Sequence, residues 1–208
     1  MSDAAARIQW AEHADTSAIA DFIAGKLAGG GLRHVAVPGG STPGPIFAEL
    51  AKREMDWENL QFILTDDRQV PEDHPASNLR LLRGHLGDTG AQIVPLFTAL
   101  VPPHFDLCWL GMGTDGHIAS LFPHMQASDL DAPGVVETVP EPLPPEAPYA
   151  RLSLDMPALL ASDAIMLVIK GDEKKRVIEA AITADNDLPI ARLLAGAHCE
   201  VTIFWSPE

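Results

Sequence analysis

Short apolar runs recur along the chain, separated by helix-like segments, and this pattern strongly limits how the chain can fold. The runs cover residues 34–38, 60–66, 106–112, 164–170 and 199–205. They lack the alternation of a half-exposed strand, which predicts strands buried on both faces of a parallel sheet. Helical patterns between them, over about 43–53 and 172–183, predict a three-layer α/β/α domain with a mostly parallel, Rossmann-like sheet.

The length and composition are those of a single globular domain. The chain has 208 residues, of which 47% are hydrophobic and 21% charged, and these values are ordinary for a soluble protein. We therefore expect residues 1–208 to form one domain. No segment approaches the roughly 20 apolar residues that cross a membrane. Residues 1–7 lack the basic and apolar parts of a signal peptide, so we expect a cytoplasmic protein.

The charge of the chain limits its partners. A net charge of −15 argues against nucleic acid or an anionic membrane as a partner. No Lys or Arg occurs between Arg83 and Arg151, so the cations for an anionic ligand must converge from distant segments. Cys108 and Cys199 lie in apolar runs and are expected to be buried thiols. No Cys/His cluster has the spacing of metal ligands, so no metal site is expected.

A glycine-rich segment, Gly111–Pro123, follows the third apolar run. Its glycines allow a tight turn and a close approach to a ligand. His117 follows Asp115 and Gly116 where we expect a helix to begin, at the ligand-binding edge of the sheet. The helix dipole would disfavour the imidazolium there and keep a neutral general base. A purely structural histidine is the alternative.

A second glycine-rich turn, Gly39-Gly40-Ser41-Thr42-Pro43, follows the first run. Ser41 or Thr42 can cap a helix whose first position suits Pro43. Such a turn forms an anion site, although a capped helix start without a ligand is equally consistent with it. The turn matches neither a nucleophile elbow, which needs a later glycine, nor a phosphate-binding loop with Gly-Lys.

Charged residues at the ends of two other runs are further candidates. Asp66, Asp67 and Arg68 end the second run and indicate a polar site, although ordinary turns have the same composition. In the helix after the fourth run, basic residues in the first turn oppose the helix dipole unless an anion binds there. Lys174 is the best candidate among them, and Arg151, ahead of an alternating strand, is another. A solvated surface charge is the alternative for both.

Residues 133–148 contain six prolines. Proline fixes the backbone and disrupts helices, which predicts a stiff, extended loop. We interpret it as a surface connection or as a rim over the site.

Together these segments resemble the 6-phosphogluconolactonase family, which is related to the glucosamine-6-phosphate deaminases. The shared segments span nearly the whole chain in the order of the family. They are Gly39–Pro43, Asp66–Arg68 with Val70–Pro71, Ser77–Asn78, Gly111–Pro123, Arg151 and Gly171–Lys174.

The resemblance implies hydrolysis of 6-phospho-D-glucono-1,5-lactone to 6-phosphogluconate without a cofactor, and we expect a monomer. His117 looks like the base that activates water. Asp66 and Arg68 match residues at the reacting end of the sugar, while Asp67 stands where the family usually has Glu. The residues that look like the phosphate cradle are Gly39, Gly40, Ser41, Thr42, Arg151 and Lys174.

Two other functions remain to be compared with this one. The deaminases carry Glu five residues after the corresponding histidine, a position that is Phe122 here, which weighs against ring-opening acid–base chemistry. A sugar-phosphate sensor attached to a transcription regulator needs a DNA-binding segment, and this acidic sequence does not suggest one.

Overall fold

The computed structural model describes residues 8–123, 125, 132–141, 143, 148–183 and 186–207. The strands are β1 Ile8–Trp10, β2 Arg33–Val37, β3 Leu60–Leu64, β4 Asp66–Arg68, β5 Gln92–Val94, β6 Leu107–Leu110, β7 Val135–Thr138, β8 Arg151–Leu154, β9 Ala164–Lys170 and β10 Glu200–Ser206. The helices are α1 Thr16–Lys26, α2 Pro43–Leu50, α3 Asn78–Leu86, α4 Met156–Leu160, α5 Asp172–Thr183 and α6 Pro189–Gly196.

Seven strands form one parallel sheet in the order β1-β10-β9-β6-β2-β3-β5. Strand β9 explains why alternation is missing from the sequence. Its odd residues Ile165, Leu167 and Ile169 pack into the core under α4–α6, whereas Met166 and Val168 pack into the opposite core under α1–α3. Because successive side chains of a strand point to opposite faces, two apolar faces require a continuous apolar run. The predicted three-layer α/β/α architecture is confirmed.

A second, antiparallel sheet in the order β4-β8-β7 was not predicted. The predicted strand 60–66 is divided at Thr65, whose N–H donates to Val37 O in the main sheet at 2.8 Å. The carbonyl of Thr65 accepts from Leu154 N in β8, also at 2.8 Å. Thr65 therefore passes the chain from one sheet to the other, and β4 begins at the next residue.

Part of the proline-rich segment also differs from the prediction. Residues 135–138 form β7, which pairs with β8, so the prediction of a loop is wrong for these four residues. Residues 142 and 144–147 of that segment lie outside the described residues. The predicted bounds of β9 and α5 are confirmed, while α2 ends at Leu50, three residues early.

Cys108 is buried, as expected, but Cys199 is only partly buried. Among the described residues, no group of His, Cys, Asp and Glu is arranged to hold a metal ion. None of the helices in that part of the chain is long and apolar enough to cross a membrane.

Candidate active site

The loops after four neighbouring strands meet at one edge of the main sheet. Strands β9, β6, β2 and β3 lie side by side and are parallel, so their carboxyl ends point the same way. Successive strands are added on one side of β2 as far as β5 and on the other side from β6 onward, and open α/β sheets bind ligands at the point where the strand order reverses in this way. An open cleft of about 210 Å³ lies at this position.

All nine residues that the sequence predicts for the site line this cleft. They come from the two glycine-rich segments, the second sheet and the first turn of α5. They are Gly39, Gly40, Ser41, Thr42, Asp66, Arg68, His117, Arg151 and Lys174. Met112, Trp109 and Val168 add apolar surface between these polar groups.

Strand β4 explains which of its three charged residues face the cleft. Side chains alternate along a strand, so Asp66 and Arg68 share one face and Asp67 occupies the other. Asp67 accepts hydrogen bonds from the backbone N–H groups of Asn78 at 2.7 Å and Leu79 at 3.1 Å. Its carboxylate therefore accepts hydrogen bonds from backbone N–H groups at the start of α3, which have no partner within the helix. Burial raises the pKa of Asp67, and these hydrogen bonds only partly oppose that effect.

Asn78 holds the cleft-facing groups of β4 in place. Its Oδ1 accepts from Arg68 Nη1 at 2.7 Å, and its Nδ2 donates to the carbonyl of Asp66 at 2.9 Å. The backbone of Gly39 passes so close that a Cβ there would lie 1.9 Å from Asn78 Cγ. Only glycine fits at that position, so the anion-site turn and β4 are packed as one unit.

Arg151 lies directly opposite Arg68 in the pairing of β4 with β8. Burial lowers the pKa of Arg151, and nearby Asp66 partly opposes that shift. No described residue accepts a hydrogen bond from Nε of either arginine. Two guanidinium groups side by side repel each other, so a negative charge bound beside either of them relieves that repulsion.

His117 is held by Asp115. Its Nδ1 lies 2.6 Å from Asp115 Oδ1, and its backbone N–H donates to the same oxygen at 3.2 Å. A Cβ on Gly113 would lie 2.2 Å from the imidazole, so glycine is needed there as well. Because a carboxylate only accepts hydrogen bonds, the proton of a neutral His117 lies on Nδ1, and Nε2 is the acceptor.

The predicted helix beginning at His117 is wrong. Residues 111–123 contain no helical segment; instead Ile118 bridges back to Met112 and forward to Leu121. Ala119 has a φ of 48°, a left-handed conformation that a right-handed helix cannot contain. The expected helix dipole therefore does not act on His117, and Asp115 orients its ring instead.

Ser120 fastens this loop to the second sheet. Its hydroxyl donates to Asp66 Oδ2 at 2.6 Å, and its N–H donates to Ser153 Oγ at 3.1 Å. Ser120 and Ser153 are fully buried. The carboxylate of Asp66 therefore has a fixed orientation beside the cleft.

The basic residues in the first turn of α5 have different surroundings. Lys174 lines the cleft, and burial lowers its pKa, with Asp115 partly opposing the shift. Lys175 instead lies over Trp205, with Nζ 4.1 Å from the ring centroid. Lys174 is thus the cation of this turn that faces the cleft, as predicted.

The turn before α2 matches its prediction only in part. Pro43 is the first residue of the helix, as expected. Thr42 is the N-cap but has helical backbone angles and makes no capping hydrogen bond through its side chain, because that bond requires an extended N-cap residue. Gly40 has a φ of 92°, which turns the chain into the cleft.

Four residues make contacts that support the site and that the sequence did not predict. They are Asn78, Asp115, Ser120 and Phe122. The position of Asp115, two residues before His117, was a usable signal. Nothing local indicates the partners of the other three, because their contacts reach distant or neutral groups.

The chain is similar to proteins of one family over most of its length. Residues 9–102 and 91–205 match the family described as glucosamine-6-phosphate isomerases/6-phosphogluconolactonase. The chain belongs to this family. A 6-phosphogluconolactonase of Rhizobium meliloti is 33% identical over 220 residues, which cover 91% of this chain and 93% of the relative. One of Caulobacter vibrioides is 34% identical over 217 residues, covering 91% of each.

Solved structures of the 6-phosphogluconolactonases share the fold. A crystal structure of a 6-phosphogluconolactonase from Shewanella baltica has a TM-score of 0.80 and 29% identity, and the match covers 97% of each chain. One from Thermotoga maritima has a TM-score of 0.78 and 26% identity, covering 97% of this chain and 99% of the other. The likeness therefore extends over both sheets and the cleft between them.

Proposed function

We propose that this chain hydrolyses 6-phospho-D-glucono-1,5-lactone to 6-phospho-D-gluconate, the second step of the oxidative pentose phosphate pathway. The observation that carries the proposal is the shared cleft. His117, paired with Asp115, opens onto the same space as Arg68, Arg151 and Lys174. A base and an anion-binding group at two places in one cleft match a substrate with a reactive carbonyl and a distant phosphate.

His117 acts as the general base in this mechanism. With the proton of the neutral ring on Nδ1, Nε2 takes a proton from a water molecule as that water attacks the lactone C1 carbonyl. The imidazolium that forms is stabilised by the carboxylate of Asp115. It then returns the proton to the ring oxygen as the C1–O bond breaks, and the carboxylic acid that forms loses a proton to solvent to give the carboxylate product. No covalent intermediate is required.

Arg68 and Asp66 act at the reacting end of the sugar. The attack creates an oxyanion, which needs a positive charge or fixed N–H donors close to it. Arg68 supplies that charge, and its orientation is set by Asn78. Asp66, held by Ser120, accepts hydrogen bonds from the sugar hydroxyl groups.

The phosphate is held at the other end of the cleft by Arg151, Lys174 and the turn of Gly39, Gly40, Ser41 and Thr42. Backbone N–H groups ahead of a helix favour an anion, and both cations are partly buried, which strengthens their attraction for it. Binding the phosphate far from C1 orients the carbonyl toward His117.

Amino-sugar phosphate deamination is the main alternative within the family. The deaminases carry Glu at the position of Phe122, and a phenyl ring cannot transfer the proton that ring opening requires. We also propose that residues 1–208 form one domain and that the protein is a cytoplasmic monomer. Sedimentation of a species near 22.3 kDa tests the monomer.

A direct assay tests the proposed function. Freshly generated 6-phosphogluconolactone should be hydrolysed well above its spontaneous rate, whereas glucosamine 6-phosphate should release no ammonia. The reverse pattern of activity would contradict the proposal.

A matched pair of histidine variants tests the role of His117. We expect His117→Ala to lower kcat by about 10² to 10⁴, the usual contribution of a general base, while 6-phosphogluconate still binds. His104→Ala is the control, because His104 also pairs with an aspartate, Asp163, at 2.8 Å but is well exposed. A His117→Ala variant with a normal rate would exclude this mechanism.

A further inference from the structure

One aromatic side chain contacts both the proposed base and a residue that we propose binds the phosphate. The ring centroid of Phe122 lies 4.9 Å from that of His117, with 44° between the two planes. Cζ of Arg151 lies 5.5 Å from the same centroid of Phe122. The same ring therefore contacts His117, the proposed base, and Arg151, which we propose binds the phosphate.

The contact with the ring of Phe122 stabilises the guanidinium of Arg151. The face of an aromatic ring attracts a guanidinium group, and the attraction grows when the cation is desolvated. Arg151 is only 8% exposed and lies opposite the like charge of Arg68. An attractive face beside Arg151 offsets part of that repulsion and restricts where the guanidinium can lie.

The ring itself is firmly placed. Two residues earlier, Ser120 is hydrogen bonded to Asp66 and to Ser153, which lie on neighbouring strands of the second sheet. Arg151 is on the same strand as Ser153. These hydrogen bonds thus fix the position of the loop that carries His117 and Phe122 relative to the strand that carries Arg151.

We propose that Phe122 is a positioning residue that sets the distance between the base and the phosphate site, and so selects lactones that carry a phosphate. The inference rests on the proposed function. Because His117 and Arg151 both contact the ring of Phe122, a phosphate bound by Arg151 places C1 of the substrate next to His117. Without the ring, Arg151 shifts, and phosphate binding no longer aligns the carbonyl.

Substitutions at Phe122 test the proposal. We expect Phe122→Leu to raise KM for the phosphorylated lactone about 3- to 10-fold, in line with the loss of one cation–π contact. Its preference for this lactone over unphosphorylated glucono-1,5-lactone should fall by a similar factor. Phe122→Tyr keeps the ring face and should retain both values within about twofold. Phe97→Leu makes the same change at an exposed phenylalanine and serves as the control.

A double-mutant cycle shows whether Phe122 acts through Arg151. In an Arg151→Ala background, Phe122→Leu should raise KM little further, because coupled residues are not additive. If Phe122→Leu lowers kcat but leaves KM and the preference unchanged, the ring is only structural and the proposal is wrong. Equal losses in the Tyr and Leu variants also overturn it. Should the Leu variant fail to fold, Phe122→Met takes its place.

Binding separates this proposal from the proposed function. If the unaltered protein does not hydrolyse the lactone, lactone hydrolysis fails regardless of Phe122. Titration with 6-phosphogluconate in a calorimeter still reports on Arg151. Binding weakened about 3- to 10-fold in Phe122→Leu supports the positioning of Arg151, and unchanged binding overturns it.

Discussion

Asp67 illustrates how a single side chain serves the site without touching the ligand. Asp66 and Arg68 face the cleft, whereas Asp67 points to the opposite side of β4 and accepts hydrogen bonds at the start of α3. Its short side chain suits this place, because the N–H groups that it accepts from lie directly beside the strand. The side chain at position 67 therefore bears on the attachment of α3 and does not line the cleft.

The raised pKa of Asp67 makes a prediction about stability and pH. Since burial raises this pKa above its ordinary 3.8, the folded protein holds the proton more tightly than the unfolded chain does. The free energy of unfolding should therefore fall, relative to Asp67→Asn, as pH rises from about 4 through the raised value. Each unit of pKa shift corresponds to about 1.4 kcal/mol.

Urea unfolding of both proteins between pH 4 and 7 measures this difference. A difference that grows in favour of the unaltered protein as pH rises would show that the hydrogen bonds of Asp67 outweigh its burial.

Residues that carry charge or chemistry were the ones the sequence could identify. His117, Arg68 and Lys174 each stand next to a glycine-rich turn or the end of an apolar run, so their place at the sheet edge follows from chain order. Asn78 and Phe122 belong to segments that resemble the family, but the contacts that they make in the site were not predicted. Their importance comes from partners on other segments, which a single sequence does not reveal.

Among the elements, long apolar strands were predictable and short irregular ones were not. Strand β9 has seven residues, all of them apolar except Lys170, and both of its predicted bounds were correct. Strands β4 and β7 have three and four residues, and β4 pairs with residues more than 80 positions away. The segment after Gly111 was expected to become a helix because its glycine-rich turn resembles a helix start, but Ala119 adopts a left-handed conformation.

Two glycines near α3 should respond to alanine in opposite ways. Gly84 lies within α3 and has open space around its missing side chain, so Gly84→Ala should stabilise the protein by about 0.5–1 kcal/mol. Gly39→Ala places a Cβ against Asn78, which two hydrogen bonds hold, and should cost about 1–3 kcal/mol together with activity. Thermal unfolding and lactone turnover measure both effects; a stable, active Gly39→Ala variant contradicts this packing.

At the scale of the whole molecule, a cationic cleft lies in a strongly acidic protein. The net charge of −15 repels an anionic substrate at a distance, whereas Arg68, Arg151 and Lys174 attract it once it is close. Exposed charges are screened beyond about 10 Å at 0.1 M salt, but partly buried charges are screened much less. Salt should therefore weaken the repulsion more than the attraction.

We expect kcat/KM for the phosphorylated lactone to rise up to about threefold when salt increases from roughly 10 to 100 mM. Steady-state rates in sodium chloride, compared with a neutral osmolyte at equal osmolality, test this effect. A steady fall over that range would mean that the cleft, and not the net charge, governs the approach of the substrate.

The parallel pairing of β1 with β10 has a consequence for how the chain is made. Gln9 and Thr202, which share a hydrogen bond, are 193 residues apart. On the ribosome, the first strand emerges long before its partner exists and must wait while the rest of the sheet forms. This edge is therefore the last part of the sheet that can be completed, and a nascent chain halted before residue 200 leaves β10 absent and β9 exposed along that side.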